Sequence, residues 1–578
     1  MNARILRLIF GATIALTMAL LLLVMPITSP ARAAPRGLTF TVNSTADEPA
    51  ADPSQPTCIS TPSGQCTLRA AIMDANFATG PNTITLPAGT YVLTRPGYDD
   101  NALVGDLDIG HDLTLQGAGS GVTIVDGNGA VTRDRVFQIL NTVQNVTLSG
   151  MTIRNGQSLS STVGVIGGGG LYMEGAGHLH LSDVIVEGNT AQNGGGIYTN
   201  FSSQGGSLTM DNVVVRANTA TAGGVGAGGG VFAYLPSALS QAVIRNSQVY
   251  SNTADGTGGG LYVDGNTAIQ WSIQASQLYS NTAASGGAIG NFVPLALSDS
   301  RVHDNHVTFD GGAIEAFSPF IIARSTLEAN SAGRFGGAIF NLETFANPSY
   351  REFAHIDQST LNGNFAQHGG GIYHDGFIVN SSLLTILNST VSGNGVSGGN
   401  GGGGGIYVYN GQLQLLNATI ASNHVNLGGG PGGGLYITAT ATFTAHNALI
   451  SNNWHNGTIF TGPVPDDCFS SGTVGELAFN LILTTTNCFV TGGQVGNIVG
   501  QDPLLGPLQY NGGPTRTRAL SAGSPAIDAG ATLGCTDDLG APLTIDQRGW
   551  HRPYGSNCDI GAYEYQPIWF LYLPLITR

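Results

Sequence analysis

The chain has 578 residues, including 86 glycines, and 42% of it is hydrophobic, so it can bury a core and is not a disordered glycine-rich linker. Only 10% of the residues are charged, all 20 basic residues are arginine, and the formal net charge is −16. This composition excludes nucleic acid as a partner and removes every lysine-based mechanism.

The first 33 residues are typical of a secretory signal sequence. Arg4 and Arg7 form a basic start, Leu8–Met25 is an apolar run, and residues 31–33 (Ala-Arg-Ala) fit the small-x-small pattern of a cleavage site. The alternative is an anchor that stays attached, because the apolar run is nearly long enough to span a bilayer. We favour cleavage and expect no transmembrane segment afterwards.

Residues 34–104 are expected to form a module that closes the N-terminal end of the fold. Within it, residues 66–76 read CTLRAAIMDAN and place Leu68, Ala71, Ile72 and Ala75 on one face of a short helix. Such a helix can cover the first coil of a repeat fold, which would otherwise expose apolar side chains and an unpaired sheet edge.

The densest acidic group follows in the segment YDDNALVGDLDIG, where we consider two interpretations. Asp106 and Asp108 are two residues apart and so project from one face of a strand, while Asp99 and Asp100 lie in the preceding loop. Four carboxylates at this spacing are candidate ligands of a Ca²⁺ ion. The alternative, which we favour, is an acidic turn that leads into the first coil. The sequence indicates no other cofactor.

Residues 105–500 contain a repeat of varying length, and ten of its copies carry an asparagine at the same position. An aliphatic residue stands three positions before each asparagine, and a glycine pair or triplet followed by an apolar residue separates successive copies. The repeated asparagines are Asn189, Asn218, Asn252, Asn281, Asn305, Asn330, Asn364, Asn394, Asn423 and Asn453. The aliphatic residues are Val186, Val215, Val249, Leu278, Val302, Leu327, Leu361, Val391, Ile420 and Ile450.

The repeat predicts an all-β solenoid. Within a copy such as SLTMDNVVVRAN, residues 207–218, apolar residues alternate with a period of two, which indicates short half-buried strands, and no helical pattern is present. Strands that stack in parallel, one circuit on the next, give a parallel β-helix. We expect the aliphatic residues to form an inward column and the asparagines to sit at a corner. There the asparagine side chain can bond neighbouring backbone, and asparagine tolerates left-handed geometry. A propeller is the rival, but its blades are longer.

Tyrosines follow the glycine-aliphatic step in six circuits. Because side chains alternate along a strand, these tyrosines should point outward where the preceding aliphatic residue points inward. A row of exposed rings would suit sugar or protein surfaces, whereas the alternative is aromatic stacking that only stabilises the sheet. The six are Tyr172, Tyr198, Tyr262, Tyr373, Tyr407 and Tyr436.

The six cysteines fall into three pairs that are close in sequence. The pairs are Cys58/Cys66, Cys468/Cys488 and Cys535/Cys558. Metal ligation is the rival use, but no CxxC or Cys/His zinc spacing occurs. We therefore favour three local disulfides, which suit an oxidising compartment.

The repeats resemble those of bacterial polymorphic outer-membrane proteins, which form right-handed parallel β-helices. The resemblance lies in Gly-Gly-Ala-Ile at residues 286–289, 311–314 and 336–339, and in the x-x-Asn blocks, over about residues 150–453. Val, Leu or Ile replaces the usual Phe before the Asn. The resemblance implies a single-stranded right-handed β-helix displayed outside the cell.

Both ends of the chain also resemble modules of secreted bacterial β-helix proteins. Residues 66–94 are similar to their Cys-Ser-Leu-Arg-x-Ala-Ile entry module. Residues 502–530, with DQRG at 546–549 and CDIGAYEY at 558–565, resemble the choice-of-anchor Q domain, which closes many such proteins and precedes surface-sorting tails. This resemblance implies a C-terminal capping domain over residues 501–565, followed by a short apolar tail at 566–578.

These features predict a secreted or cell-surface β-helical protein of structural or adhesin-like type. We expect it to be a monomer that binds polysaccharides or other cell-surface ligands through a repetitive face. Because parallel β-helices also host carbohydrate-active enzymes, the alternative is a polysaccharide lyase or glycoside hydrolase acting in a groove of the helix. A lyase would need a carboxylate cluster with Ca²⁺ and a base, and a hydrolase would need paired Asp residues. No residue is assigned a catalytic role.

Overall fold

The computed structural model describes residues 37–159, 167–342, 353–376, 382–399, 401–426, 428–457, 462–488, 495–532 and 534–567. The predicted signal sequence, residues 1–33, lies outside the described residues, as does residue 568 onward of the predicted tail. Within the described part, no helix has the length and apolar character needed to cross a membrane.

The chain folds into a right-handed parallel β-helix of about 12 turns, as the repeat predicts. Each full turn runs through four faces, which we number 1 to 4 in chain order. Faces 1, 2 and 3 join into one 40-stranded sheet, because three long strands continue from one face into the next, and face 4 belongs to a separate 12-stranded sheet.

Faces 1 and 2 carry the longer strands. Face 1 consists of Leu107–Ile109, Phe137–Ile139, Leu171–Gly175, Ile197–Phe201, Val231–Leu235, Leu261–Gly265, Ile289–Asn291, Ile314–Ala316, Ile339–Leu342, Ile372–Asp375, the start of Ile406–Leu416, Leu435–Ile437 and Cys468–Ser470. Face 2 consists of Thr39–Thr41, Asn82–Leu86, Leu113–Gly117, the first halves of Asn145–Arg154 and His178–Glu187, Gly206–Asp211, Ser240–Arg245, Trp271–Gln274, Leu295–Ser298, Phe320–Ala323, Phe353–Asp357, Leu383–Leu387, the end of Ile406–Leu416, Ala441–His446 and Thr473–Ala478.

Faces 3 and 4 carry shorter strands. Face 3 consists of Gly89–Val92, Thr123–Asp126, the second halves of Asn145–Arg154 and His178–Glu187, Val214–Arg216, Gln248–Tyr250, Gln277–Tyr279, Arg301–His303, Thr326–Glu328, Thr360–Asn362, Thr390–Ser392, Thr419–Ala421, Leu449–Ser451, Leu481–Ile482 and Ile498–Val499. Face 4 consists of Gln157–Ser158, Thr190–Ala191, Thr219–Ala220, Thr253–Ala254, Thr282–Ala283, His306–Val307, Ser331–Ala332, Phe365–Ala366, Gly395–Val396, His424–Val425, Trp454–Asn456 and the antiparallel Pro463–Pro465.

The predicted aliphatic column is confirmed. All ten residues that stand three positions before the repeated asparagines are fully buried on face 3. Val215 pairs with Val249, Val249 with Leu278, and Leu278 with Val302, in parallel register. The core is therefore a continuous column along the helix axis, in which each turn buries its apolar side chains against its two neighbours.

The repeated asparagines also line a corner, between faces 3 and 4, but the left-handed residue there is the one before each of them. For example, Ala217, Ser251 and Ser280 have φ between 51° and 54°, whereas the asparagines that follow them do not have positive φ. The expectation that asparagine itself adopts this geometry is therefore wrong. The asparagine side chain is instead turned inward, where its amide can serve as a hydrogen-bonding group for three turns.

The ten asparagines form a buried ladder along this corner. Asn305 illustrates the pattern: its Oδ1 accepts from the backbone N–H and from Nδ2 of Asn281, both at 3.0 Å. Its own Nδ2 donates to Oδ1 of Asn330 at 2.9 Å and to the carbonyl of Leu278 at 3.0 Å. Each rung thereby satisfies backbone groups that the chain leaves unpaired where it bends.

The ladder ends on the carboxylate of Asp467, which lies next to the disulfide-bonded Cys468. Oδ1 of Asp467 accepts from the backbone N–H and Nδ2 of Asn453, at 3.0 and 2.9 Å, and its Oδ2 accepts from the N–H of Thr484. Burial raises the pKa of Asp467 to about 6. Asp467 thus occupies the position of an eleventh rung.

Glycine is required where successive turns approach most closely. In the segment DGGAIEAF, Gly311 has a φ of +67°, which a side chain would strain. A Cβ on Gly312 would lie 2.1 Å from the carbonyl oxygen of Gly337 in the next turn. The recurrent glycine pair is therefore a consequence of stacking turns at the spacing of a β-sheet.

A helix at Leu68–Phe77 packs against the first turns, at the position that the sequence predicts. Thr67 caps its N-terminus by accepting from the N–H of Ala70 at 3.1 Å. The helix is buried over Leu68–Ala75, and its Arg69 pairs with Asp47 and donates to carbonyls of the loop at residues 102–106. A second, short helix spans Gly129–Thr132.

The segment at residues 502–565 lies along the outer side of face 3, over the turns from Asp357 to Leu481. It contains a hairpin of Leu505–Gln509 and Thr517–Leu520, and its Ile560 and Leu520 pack on Leu449 and Leu481. We call this segment the flank domain. It covers the C-terminal half of the rod from the side.

The three predicted disulfides are confirmed: Cys58 pairs with Cys66, Cys468 with Cys488, and Cys535 with Cys558. Cys468 stands in the inward column of face 1, directly beyond Leu435. The bond from Cys468 to Cys488 therefore ties the last turns of the column together across a sequence separation of 20 residues.

We expect the double variant Cys468→Ser, Cys488→Ser to lose about 3 kcal/mol of stability in the last turns, since the bond restricts the unfolded chain. Hydrogen exchange should increase around residues 435–488 and stay unchanged near the N-terminal helix. The matched double variant Cys58→Ser, Cys66→Ser should show the reverse distribution. Equal loosening of both ends in either variant would contradict this assignment.

Candidate functional site

An open cleft of about 510 Å³ lies at the N-terminal end of face 1, and we call it the acidic cleft. The loop at residues 94–105 forms one wall, and the next turns of face 1 form the other. The cleft is lined by Tyr98, Asp99, Asp100, Asp106, Asp134, Gln138, Leu140, Asn141, Thr142, Tyr172 and Glu174.

Two carboxyl groups form the floor of the acidic cleft, and one guanidinium group lies beneath them. Asp106 and Asp134 line the cleft although only 2% of each residue is exposed. Nε of Arg135 lies 3.6 Å from Oδ2 of Asp106 and 3.8 Å from Oδ1 of Asp134. Oδ2 of Asp134 accepts from the backbone N–H of Asp106, whereas Oδ2 of Asp106 has no hydrogen-bond partner among the described residues. An acceptor oxygen thus stays unsatisfied at the base of the cleft.

The loop wall is organised by the other predicted acidic residues. Asp99 accepts from three backbone N–H groups of the residues that follow it, at 3.0 to 3.2 Å. Asp100 lies at the rim and accepts from Nε2 of Gln138 at 3.1 Å. Asp108 is fully buried under the loop, where its Oδ2 accepts from the N–H of Ala102 at 2.7 Å. Asp99 and Asp108 therefore hold the loop in place.

Burial perturbs the carboxyl groups of the floor. The pKa of Asp106 is raised well above its usual value, first by burial and then by the neighbouring Asp134 and Asp108. Burial raises the pKa of Asp108 to about 8, although the hydrogen bond from Ala102 opposes it. The pKa of Asp134 is also raised by burial, against the opposing charge of Arg135. In all three groups burial therefore shifts the pKa upward from that of an exposed carboxyl group.

The four residues of the calcium hypothesis therefore lie in or next to one loop, but their environments differ. Asp99, Asp100 and Asp106 line the cleft, and Asp108 lies beneath the loop. Across the described residues, no group of three or more His, Cys, Asp or Glu side chains is arranged to hold a metal ion. The acidic turn, our favoured interpretation, accounts for Asp99 and Asp108.

The sequence reasoning missed Asp134, Gln138 and Glu174, which come from later turns. The register on face 1 places Gln138 beside Asp108 and Tyr172 beside Gln138. The sequence repeat could have predicted that Asp108, Gln138 and Tyr172 are neighbours. That prediction requires an alignment of the irregular first two turns with the later, regular turns.

The predicted tyrosines lie on the outer side of face 1 and form an aromatic column with phenylalanines. Ring centroids of successive members are mostly 4.6 to 5.7 Å apart, and most pairs are stacked. Tyr172 and Tyr373 are buried, so the expectation of exposed rings is wrong for these two. Because the other rings cover each other, they offer edges and hydroxyl groups rather than faces to a ligand. The members are Tyr172, Tyr198, Phe232, Tyr262, Phe292, Phe317, Phe340, Tyr373, Tyr407, Tyr436 and Phe469.

A buried glutamate interrupts the aromatic column midway. Gly290 and Glu315 occupy the register positions between Tyr262 and Phe340, and the rings of those two turns come from residues further along the chain. Glu315 is only 6% exposed, and burial, reinforced by nearby Asp310, raises its pKa to about 8. Asp310 itself pairs with Arg334.

We expect Glu315 to make the stability of the rod depend on pH. Since its folded pKa of about 8 exceeds the ordinary value of 4.5, its stabilising contribution is complete below about pH 4.5 and is lost as the pH rises through 8. Glu315→Gln should remove a decline of about 4 kcal/mol between pH 5 and 9 in urea unfolding. Glu476→Gln, at an exposed glutamate, should leave the decline unchanged. A parallel pH profile for both variants would refute the assignment.

Comparison with known proteins adds little to this geometry. No protein-family model and no curated protein sequence matches the chain. A solved structure described as the crystal structure of pectate lyase Pel9A is similar over 92% of this chain and 98% of that one, with 14% identity and a TM-score of 0.29. A TM-score this low carries no argument about substrate or mechanism.

Proposed function

We propose that this is an extracellular β-helical protein that binds glycans or related cell-surface polymers, with the acidic cleft as the principal binding site. The observation that carries the proposal is the cleft itself, which combines aromatic, amide and carboxyl groups in one open concave surface. Carboxylate and amide oxygens accept hydrogen bonds from vicinal sugar hydroxyl groups, and the exposed ring of Tyr98 can pack against a sugar ring.

A repetitive surface continues from the cleft along face 1. Tyr172 belongs both to the cleft lining and to the aromatic column, and its neighbour Glu174 begins a row of outward side chains. In parallel register, Glu174 is followed by Asn200, Tyr234 and Asp264. A polymer that is held in the cleft can therefore extend along this row, one turn of the helix at a time.

Export and surface display form part of the same proposal. Three disulfides and the resemblance to secreted bacterial β-helix proteins support an extracellular place of action. The resemblance of the flank domain to choice-of-anchor Q domains supports a role at the cell surface. Fractionation of cells that express the full chain, with antibody accessibility on intact cells, tests this proposal; retention inside the cell would contradict it.

Polysaccharide cleavage is the second candidate function. The observation that favours it is the pair of neighbouring carboxyl groups, Asp106 and Asp134, on the floor of the cleft, because glycoside hydrolysis uses two carboxyl groups on either side of the bond. Release of reducing sugar or unsaturated uronide from a panel of plant and bacterial glycans would distinguish an enzyme from a binding protein.

The binding proposal is tested with a glycan array and a whole-cell binding assay on residues 34–578. We expect retained ligands to lose at least tenfold in affinity in Tyr98→Ala, since Tyr98 lines the cleft and is 40% exposed. Tyr510→Ala, at an exposed tyrosine of the flank domain, should bind as the unaltered protein does. Ligands that bind both variants equally well would place the binding site elsewhere.

A further inference from the structure

The charged groups that line the acidic cleft are all acidic. They are three rim or wall carboxyl groups, Asp99, Asp100 and Glu174, and two floor carboxyl groups, Asp106 and Asp134. The nearby cation, Arg135, is 1% exposed, pairs with the floor carboxyl groups and lies over the ring of Tyr172 at 4.7 Å. A polyanionic ligand would therefore meet like charges at the rim and wall of the cleft, with the arginine beneath the surface.

Three side-chain donors of the cleft, on Tyr98, Tyr172 and Gln138, are already engaged within the protein. The hydroxyl group of Tyr98 donates to the carbonyl of Arg133, and that of Tyr172 donates to Oε2 of Glu174. Nε2 of Gln138 donates to Asp100. Beside the amide of Asn141 and the hydroxyl group of Thr142, the cleft thus presents mainly acceptors, which a ligand rich in donors complements.

The unsatisfied oxygen on the floor points to the same kind of ligand. Oδ2 of Asp106, a residue of the cleft lining, is buried and makes no hydrogen bond with the described residues; its ion-pair partner, Nε of Arg135, is 3.6 Å away. A buried acceptor without a donor is costly, so a ligand that places a donor there recovers that cost on binding. This observation is independent of the charge of the rim.

We propose that the acidic cleft selects saccharides with free ammonium groups, such as polymers of unacetylated amino sugars. An ammonium group carries three donors, no acceptor and a positive charge, which complements the acceptors of both the floor and the rim. This inference rests on the proposed function, because it names the ligand class of the same cleft.

The test is calorimetric titration of residues 34–578 with four tetrasaccharides: of glucosamine, of N-acetylglucosamine, of glucose and of galacturonic acid. The glucosamine tetramer should bind at least tenfold more tightly than its N-acetylated counterpart at 50 mM NaCl, and the advantage should shrink at 500 mM. Asp106→Asn and the rim variant Asp100→Asn should each lose about tenfold in affinity for the glucosamine tetramer. Glu476→Gln, at an exposed position outside the cleft, should not.

The rim variant keeps the test valid if Asp106→Asn does not fold, because Asp100 is exposed. Tighter binding of the glucose, N-acetylglucosamine or galacturonate tetramer, sensitive to Tyr98→Ala, would overturn the inference and leave the proposed function standing. Binding of the glucosamine tetramer that ignores both aspartate variants would also overturn it. Absence of binding by all four tetramers, together with an empty glycan array, would refute the proposed function as well.

Discussion

Replacement of Asn305 by alanine should cost about 3 to 5 kcal/mol in the free energy of unfolding, because it removes a rung from the middle of the asparagine ladder. The change leaves the backbone N–H of Asn281 and the carbonyl of Leu278 without their partners in a fully buried corner. Each unsatisfied buried group costs about 1 to 3 kcal/mol. Urea unfolding followed by circular dichroism measures the loss.

Thr282→Ala is the matched control for this prediction. Thr282 lies at the same corner, one turn earlier, but is exposed, and its hydroxyl group contacts only that of Thr253 among the described residues. Its replacement should change stability by less than about 0.5 kcal/mol. A similar effect of both variants would mean that the ladder contributes no more than an exposed hydrogen bond does.

Replacement of Arg552 by methionine should release the flank domain from the rod. Nε of Arg552 lies 2.8 Å from Oε2 of Glu564, its other nitrogens donate to Oδ1 of Asn388 and the carbonyl of Gly561, and the side chain is fully buried. Removal of one partner of a buried ion pair costs about 3 to 5 kcal/mol, since Glu564 keeps an uncompensated charge. Limited proteolysis should then cut within residues 502–565 while the rod keeps its melting temperature.

The corresponding control is Arg245→Met, which removes an exposed pair between Arg245 and Asp211 on face 2. Exposed ion pairs contribute little, so this variant should resist proteolysis as the unaltered protein does. If Arg552→Met also lowered the melting temperature of the rod, the flank domain and the rod would form one cooperative unit. That outcome would contradict our view of independent docking.

Docking of the flank domain uses the left-handed corner between faces 2 and 3. Side chains at successive corners, Gln358, Asn388 and Asn417, donate to the carbonyls of Asp546, Ile545 and Thr536. Gln547 reaches between two turns, where its Oε1 accepts from Thr390 and its Nε2 donates to Thr360. The rod therefore recognises the flank domain with residues that its own geometry already requires at the bends.

The sequence by itself determined the solenoid, because each repeat can bury its aliphatic residues only against its neighbours. Ten aliphatic residues at a constant offset from asparagine predicted one buried column, and the paired glycines predicted close approach of the backbone. The three disulfides also followed from the sequence, since each pair is close along the chain. The repeat pattern was enough to predict a contact wherever a residue packs against the residue at the same repeat position in the next turn.

Only the tertiary structure decided which residues come into contact when they occupy different positions of the repeat. Asp134 joins Asp106 in the cleft, and Asp467 ends the asparagine ladder, through contacts between residues that share no repeat position. The side-on position of the flank domain likewise depends on contacts over more than 150 residues, such as that of Gln547 with Thr390. Burial and hydrogen bonding at such sites depend on three-dimensional register, which no periodic pattern in the chain encodes.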